Sequence, residues 1–96
     1  MSKYNKRTDS NHAAFIRTLT GCGYRVIDTH SLPGCLDILA LSKSNRLYLI
    51  EIKPPVNPSP LTAAELATLA EFSPAAFVAD DPMAAIAKMD EMDRLR

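Results

Sequence analysis

The stretch Leu47-Tyr48-Leu49-Ile50-Glu51-Ile52-Lys53, followed at once by Pro54-Pro55, constrains this chain more than any other. Its five apolar side chains, two of them β-branched isoleucines, predict a buried strand, in which alternate residues face opposite sides of a sheet. Glu51 and Lys53 therefore share a face. Proline cannot donate to a sheet ladder, so the strand ends before Pro54 and leaves both charges at its carboxyl end. Charged groups are seldom buried unless they are paired or hold a metal, so this Glu-x-Lys is either a salt bridge or a site.

A chain of 96 residues, 47% hydrophobic, is enough for one domain covering residues 1–96 and leaves little room for a second. No run approaches the roughly 18 uninterrupted apolar residues of a membrane span, and the polar amino terminus lacks the apolar core of a secretion signal. A soluble, cytoplasmic protein without a membrane partner is expected. Cys22 and Cys35 have no CxxC spacing and no histidine at zinc-finger spacing, so both are expected as inert, reduced thiols. Net charge is zero, which argues against a protein that coats nucleic acid. The halves differ, however: residues 1–60 hold eight Lys and Arg against four acids, and residues 61–96 hold three against seven. Such a chain can meet an anion on one side only, although ordinary solvated faces explain the same asymmetry.

Taken in order, residues 1–8 are polar and basic and read as a flexible arm. Asp9 or Ser10 caps a helix that runs through Leu19 or Thr20, with His12, Phe15, Ile16 and Leu19 on one face, and Gly21-Cys22-Gly23 closes it. Tyr24 to Thr29 is a first strand, Ser31 to Cys35 a turn, and Leu36 or Asp37 to Leu41 a second strand. Lys43 to Arg46 turns the chain into the Leu47–Lys53 strand, which predicts a hairpin. The proline-rich segment 54–60 is a stiff loop beside the Glu-x-Lys. Thr62-Ala63-Ala64-Glu65 is a capping box, with Leu61 and Leu66 placed as a hydrophobic staple and Leu66, Leu69, Ala70 and Phe72 as the apolar side. Ala75 to Ala79 is strand-like. Asp81-Pro82 opens a last helix to about Leu95, its face marked by Met83, Ile86, Ala87 and Met89 or Asp90. The expected class is α/β in the order α-β-β-β-α-β-α, a mixed sheet flanked by helices.

If the two hairpin strands are antiparallel, the start of one lies beside the end of the other, which brings Asp37 near Glu51 and Lys53. Two carboxylates and an amine at one end of a sheet suit metal-assisted attack on a phosphodiester. Carboxylates hold Mg²⁺, the ion polarises the phosphate and activates water, and the lysine orients that water or offsets growing charge. A structural ion pair between Lys53 and Glu51 or Asp37 draws on the same residues.

Asp37 followed by Glu51-Ile52-Lys53 after a short hairpin resembles the PD-(D/E)xK nuclease superfamily, and in particular small phage and prophage members related to VRR-NUC domains and archaeal-type Holliday junction resolvases. The resemblance runs from Asp9-Ser10-Asn11-His12 through Gly21-Cys22-Gly23-Tyr24-Arg25-Val26, Pro33-Gly34-Cys35-Leu36-Asp37 and Glu51-Ile52-Lys53-Pro54-Pro55 to Leu61-Thr62-Ala63-Ala64-Glu65. It implies a restriction-endonuclease-like core and a Mg²⁺-dependent endodeoxyribonuclease, with Mn²⁺ able to substitute. It further implies Asp37, Glu51 and the Ile52 backbone carbonyl as metal ligands, Lys53 as the catalytic lysine, and Asn11 facing the site behind the ligands. Two departures stand out. Leu36 occupies the position of the motif's proline, which shapes the turn and supplies no ligand. Glu65 lies where relatives carry glutamine, and its place in a capping box accounts for it as well as a site role does.

His30, just before the turn to Asp37, either touches the scissile phosphate from behind the metal ligands or is satisfied by backbone in its loop. His12 reads as a surface histidine, the alternative being a helix-face residue near the site. Arg7, Arg17, Arg25, Lys43 and Arg46 are candidate DNA-phosphate contacts, against a default of solvated charge. Met83, Met89 and Met92 suit core or dimer packing. The expected activity is structure-directed cleavage of branched or duplex DNA, because the chain is too short for a separate base-reading module, and a homodimer would offer two sites. From another class, a non-catalytic DNA-binding or protein-interaction module retaining the nuclease fold uses the same sequence.

Overall fold

The computed structural model describes residues 3–95, with the side chains of residues 3–10 outside that description. Helix α1 (Lys3–Gly21) starts earlier than the Asp9–Ser10 cap signal, so the expected arm falls partly within its span and otherwise outside the described residues. Its end follows from glycine chemistry. Gly23 adopts φ 92, Gly23 N–H donates to the Thr20 carbonyl at 3.0 Å, and Tyr24 N–H donates to the Leu19 carbonyl at 3.0 Å. That pair of bonds is the Schellman closure, which a residue with a Cβ adopts at a cost.

Among the described residues the remaining elements are β1 (Arg25–Asp28), β2 (Ile38–Leu41), β3 (Leu47–Ile52), α2 (Ala63–Phe72), β4 (Ala76–Ala79) and α3 (Pro82–Leu95). The order is the one expected, and the strands form a mixed sheet in the order β1-β2-β3-β4. β1 and β2 are antiparallel, as are β2 and β3, while β4 returns parallel to β3 through α2. The hairpin therefore forms, with Ile38 opposite Ile50 and Leu41 opposite Leu47.

One sheet face carries Ile38, Ala40, Tyr48, Ile50, Ile52, Phe77 and Ala79 into a core with Phe15 and Leu19 of α1 and Ala85, Met89 and Met92 of α3. Full burial of each large apolar side chain there contributes roughly 1.5–3 kcal/mol. The other parity is less covered: Leu39 and Leu49 are half-buried, and Ile27 and Leu47 are exposed.

Two helices differ from their expected faces. α2 has the full Thr62–Glu65 capping box but buries no residue, and Leu66 and Phe72 remain 53% and 52% exposed. Among the strands it packs chiefly against the edge strand β4, so its apolar side has little sheet to cover. α3 is rotated so that Ala85, Met89 and Met92 face inward while Met83 and Ala87 face outward. That rotation brings Asp90 and Asp93 to two core tyrosines: Tyr48 donates to Asp93 Oδ1 at 2.6 Å and Tyr24 to Asp90 Oδ1 at 3.4 Å. Cys22 and Cys35 are both free. No helix among the described residues is long and apolar enough to cross a membrane.

The turn before β2 aims Asp37. Cys35 N–H donates to the Leu32 carbonyl at 3.1 Å across Pro33 and Gly34, and Gly34 sits at φ 80. Proline followed by a positive-φ glycine is the signature of a type II turn. Nothing lies within 4 Å of a Cβ built on Gly34, so Gly34→Ala meets only the left-handed penalty. That substitution should cost about 1–2 kcal/mol, read as a lower urea midpoint at unchanged slope. An unshifted midpoint would show that the turn does not hold this conformation.

Candidate active site

The β2–β3 register, carried one step beyond the pair Ile38 and Ile50, sets Asp37 opposite Glu51 on the same face, and Lys53 follows two residues on. The ladder ends there for a local reason. Leu36, which the register would place opposite Ile52, gives its carbonyl to Thr29 Oγ1 at 2.7 Å. Ile52 N–H donates instead to Asp37 Oδ2 at 2.8 Å. The aspartate thus closes the sheet with one oxygen and keeps Oδ1 for the cleft.

The Ile52 carbonyl is directed by the next peptide. Lys53 N–H donates to the Ala79 carbonyl of β4 at 3.1 Å. A trans peptide points its carbonyl away from its N–H, so the Ile52 oxygen faces away from β4, toward β2 and Asp37. The three expected ligands lie at one end of the sheet.

They line a cleft of about 630 Å³ with Asn11 and His12 of α1, His30 of the β1–β2 loop and Glu65 of α2. A neighbouring cleft of about 460 Å³ shares Lys53 and is otherwise walled largely by prolines, Phe77 and Val78.

Glu51 is 3% exposed, and its Oε1 is buried with no hydrogen-bond partner among the described residues. Its Oε2 lies 3.6 Å from Lys53 Nζ, which donates to Ser59 Oγ at 3.2 Å. The ion pair considered from the sequence is therefore present, but it is long and leaves half the carboxylate unmatched. Burial pushes the Glu51 carboxyl up, the negative charges of Asp37 and Glu65 push it further, and Lys53 offsets only part, so that it titrates at about 8. Carboxylates gathered in a buried site with too little positive charge, and one oxygen unbound, fit a divalent cation.

Glu65 serves two ends. Its Oε1 accepts from Thr62 N–H at 2.9 Å, and its own N–H donates to Thr62 Oγ1 at 3.1 Å, closing the capping box. Its charge still reaches Glu51.

His12 was expected at the surface and is instead 4% exposed. It follows the period of Phe15 and Leu19, which sends it into the fold one turn before them, at the cleft wall. Its Nε2 lies 3.0 Å from Asp28 Oδ1 and its Nδ1 lies 4.0 Å from Asp37 Oδ1. His30 Nδ1 lies 2.7 Å from the same Asp28 oxygen. Burial pulls the Asp28 carboxyl upward, but hydrogen bonding from His30 and the approach of His12 outweigh it and hold Asp28 below the usual range. Asp28 had no assigned role in the sequence. Its signal was parity, since the β1 register places it beside the core residue Ile38.

The basic residues expected on phosphates are not gathered here. Lys43 and Arg46 flank the hairpin turn, and Arg25 pairs with Leu41 at that same end of the sheet. Four residue steps along β2, roughly 13 Å at about 3.3 Å each, separate them from Asp37. Lys43 Nζ sits 5.5 Å from the Tyr24 ring centroid, and Arg46 has a buried Nη1. Arg17 is exposed on α1, and the side chain of Arg7 lies outside the described residues. Arg17, Arg25, Lys43 and Arg46 are absent from the cleft wall.

Comparison with protein-family models, curated proteins and solved structures returned no match to this chain.

The raised Glu51 value has a consequence for stability. Between its ordinary value of 4.5 and about 8 the folded chain keeps a proton that the unfolded chain has released. Stability without metal should therefore fall as pH rises through that window. Thermal melts from pH 5 to pH 8 should show the decline in EDTA, a flatter profile for Glu51→Gln, and recovery at the alkaline end when Mn²⁺ is added. A native profile as flat as that of Glu51→Gln would contradict the electrostatic assignment.

Proposed function

We propose that this chain is a metal-dependent nuclease of the PD-(D/E)xK superfamily with a restriction-endonuclease-like core, hydrolysing phosphodiester bonds of branched or duplex DNA inside the cell. The observation that carries the proposal is the convergence of Asp37 and Glu51 through the β2–β3 register, with Lys53 beside them and the Glu51 carboxyl pushed up to about 8 in a site short of positive charge. The α-β-β-β-α-β order and the mixed sheet accommodate such a core.

Asp37, Glu51 and the Ile52 carbonyl would hold Mg²⁺, for which Mn²⁺ substitutes. A cation there supplies Lewis acidity and neutralises phosphate charge. The chain's own groups do the rest. Ile52 N–H fixes the Asp37 carboxylate, so its aim costs no reorganisation. Lys53 Nζ, tethered by Ser59, brings a positive charge to the phosphoryl oxygens as water adds to phosphorus and one P–O ester bond breaks. The prolines after Lys53 stiffen the cleft rim.

The second reading, a non-catalytic DNA-binding or interaction module, draws support from the Lys53–Glu51 ion pair and from basic residues at the far end of the sheet. Plasmid, forked and four-way-junction DNA incubated with Mg²⁺, Mn²⁺ or EDTA separates the two. The nuclease should cut with metal only, and Asp37→Ala, Glu51→Ala and Lys53→Ala should each lower cleavage by at least about 100-fold while most DNA affinity survives. Metal-independent function, or variants that act like the native chain, would favour the binding module.

The proposal extends to a homodimer. One small neutral copy neutralises few phosphates, and a second copy would cover the exposed Ile27 and Leu47. Sedimentation at working concentration should give twice the chain mass; a monomer would remove the dimer and leave the site chemistry standing.

A further inference from the structure

We infer that His12, Asp28 and His30 form a second metal site, selective for an imidazole-preferring ion of the Zn²⁺ class and separate from the carboxylate pair that would take Mg²⁺. The inference goes beyond the nuclease proposal and does not depend on it.

The chain contains two histidines, and the fold brings both to one carboxylate. One comes from the buried face of α1, the other from the loop after β1, and Asp28 is the last residue of β1 between them in space. One ligand atom from each lies within 4.8 Å of the others. Their ring centroids are 4.8 Å apart and tilted by 59°, so the rings converge on the acid rather than stack.

The cluster is crowded in a way that hydrogen bonding does not resolve. Asp28 Oδ1 is approached by His30 Nδ1 at 2.7 Å, by His30 N–H at 3.2 Å and by His12 Nε2 at 3.0 Å. The His12 approach is close but poorly aligned, since neither nitrogen of this buried ring has a hydrogen-bond partner among the described residues. A buried imidazole that meets a carboxylate closely but without an aligned hydrogen bond, beside a second imidazole, supplies the donor set of a metal site.

Two nitrogens and one oxygen select the metal. Imidazole suits Zn²⁺, Co²⁺ and Ni²⁺, whereas Mg²⁺ takes oxygen and keeps its waters. Tetrahedral Zn²⁺ with bonds near 2.0–2.1 Å places neighbouring ligand atoms about 3.3 Å apart, so the two imidazole–carboxylate separations of 3.0 and 2.7 Å would open slightly while the widest spacing in the group, up to 4.8 Å, would close by a turn of the exposed His30 ring. The other ring nitrogen of His12 lies 4.0 Å from Asp37 Oδ1, beyond hydrogen-bond reach, so the two sites adjoin without sharing a bond. His30 and Asp28 are each more than one-third exposed, which leaves an open approach and a free position for solvent or an anion.

The test is titration of ¹⁵N-labelled full chain with Zn²⁺ in long-range ¹H–¹⁵N spectra, where the two imidazoles are the whole signal. One equivalent of Zn²⁺ should move the nitrogens of both rings together, with His12 Nε2 and His30 Nδ1 carrying the metal-bound shifts, and millimolar Mg²⁺ should leave them in place. His30→Ala and Asp28→Asn, both at exposed positions, should keep the native amide spectrum and weaken Zn²⁺ at least about tenfold. Glu51→Gln should retain the affinity, which separates this site from the carboxylate pair. Unmoved ring nitrogens, equal affinity in His30→Ala, or loss of Zn²⁺ in Glu51→Gln would each overturn the assignment.

Discussion

The antiparallel register between β2 and β3 is the constraint on which the rest depends. Fixing Ile38 opposite Ile50 buries both in the core and, by the same two-residue period, turns Asp37 and Glu51 onto the other face as neighbours. A slip of one residue would expose the core and bury the acids elsewhere. Packing energy of several buried side chains thus enforces an arrangement of carboxylates that is itself unfavourable. The site is held by the fold rather than by attraction among its own groups.

That tension has a visible cost and a visible partner. Glu51 sits among Asp37, Glu65 and a single nearby ammonium, and its carboxyl moves to about 8 as a result. An architecture selected only for stability would replace such a group with an apolar one, since a buried ion pair seldom outperforms its hydrophobic equivalent. A poorly compensated acid beside a cleft of about 630 Å³, at the end of an apolar strand, is the physical basis for proposing a cation and an anionic substrate there.

Much of this was legible in the residues because local and long-range signals agreed. The apolar run at Leu47 to Ile52, the prolines behind it, the Pro33-Gly34 turn and the Thr62–Glu65 box each specify one local geometry, and the structure has all four. The faces of α2 and α3 were less legible. Periodicity marks Leu66 and Phe72 of α2 and Met83 of α3 as apolar positions, but not that α2 packs chiefly on an edge strand or that Tyr24 and Tyr48 recruit Asp90 and Asp93. His12 carried its signal in the helical period it shares with Phe15 and Leu19. The cluster it forms with Asp28 and His30 depends on how α1 crosses the end of β1, a tertiary fact without a spacing of its own. The distance of Arg25, Lys43 and Arg46 from the cleft was illegible for the same reason, since a residue's type carries its charge but not the end of the sheet it occupies.

Anomalous diffraction from crystals of the full chain soaked in Mn²⁺ tests the central assignment most directly. The account predicts a peak at direct coordination distance from both Asp37 and Glu51, on the side of the Ile52 carbonyl, with the Glu51 oxygen that lacks a partner turned onto the ion. A cleft without that peak at saturating Mn²⁺, with Glu51 still paired only to Lys53, would contradict it.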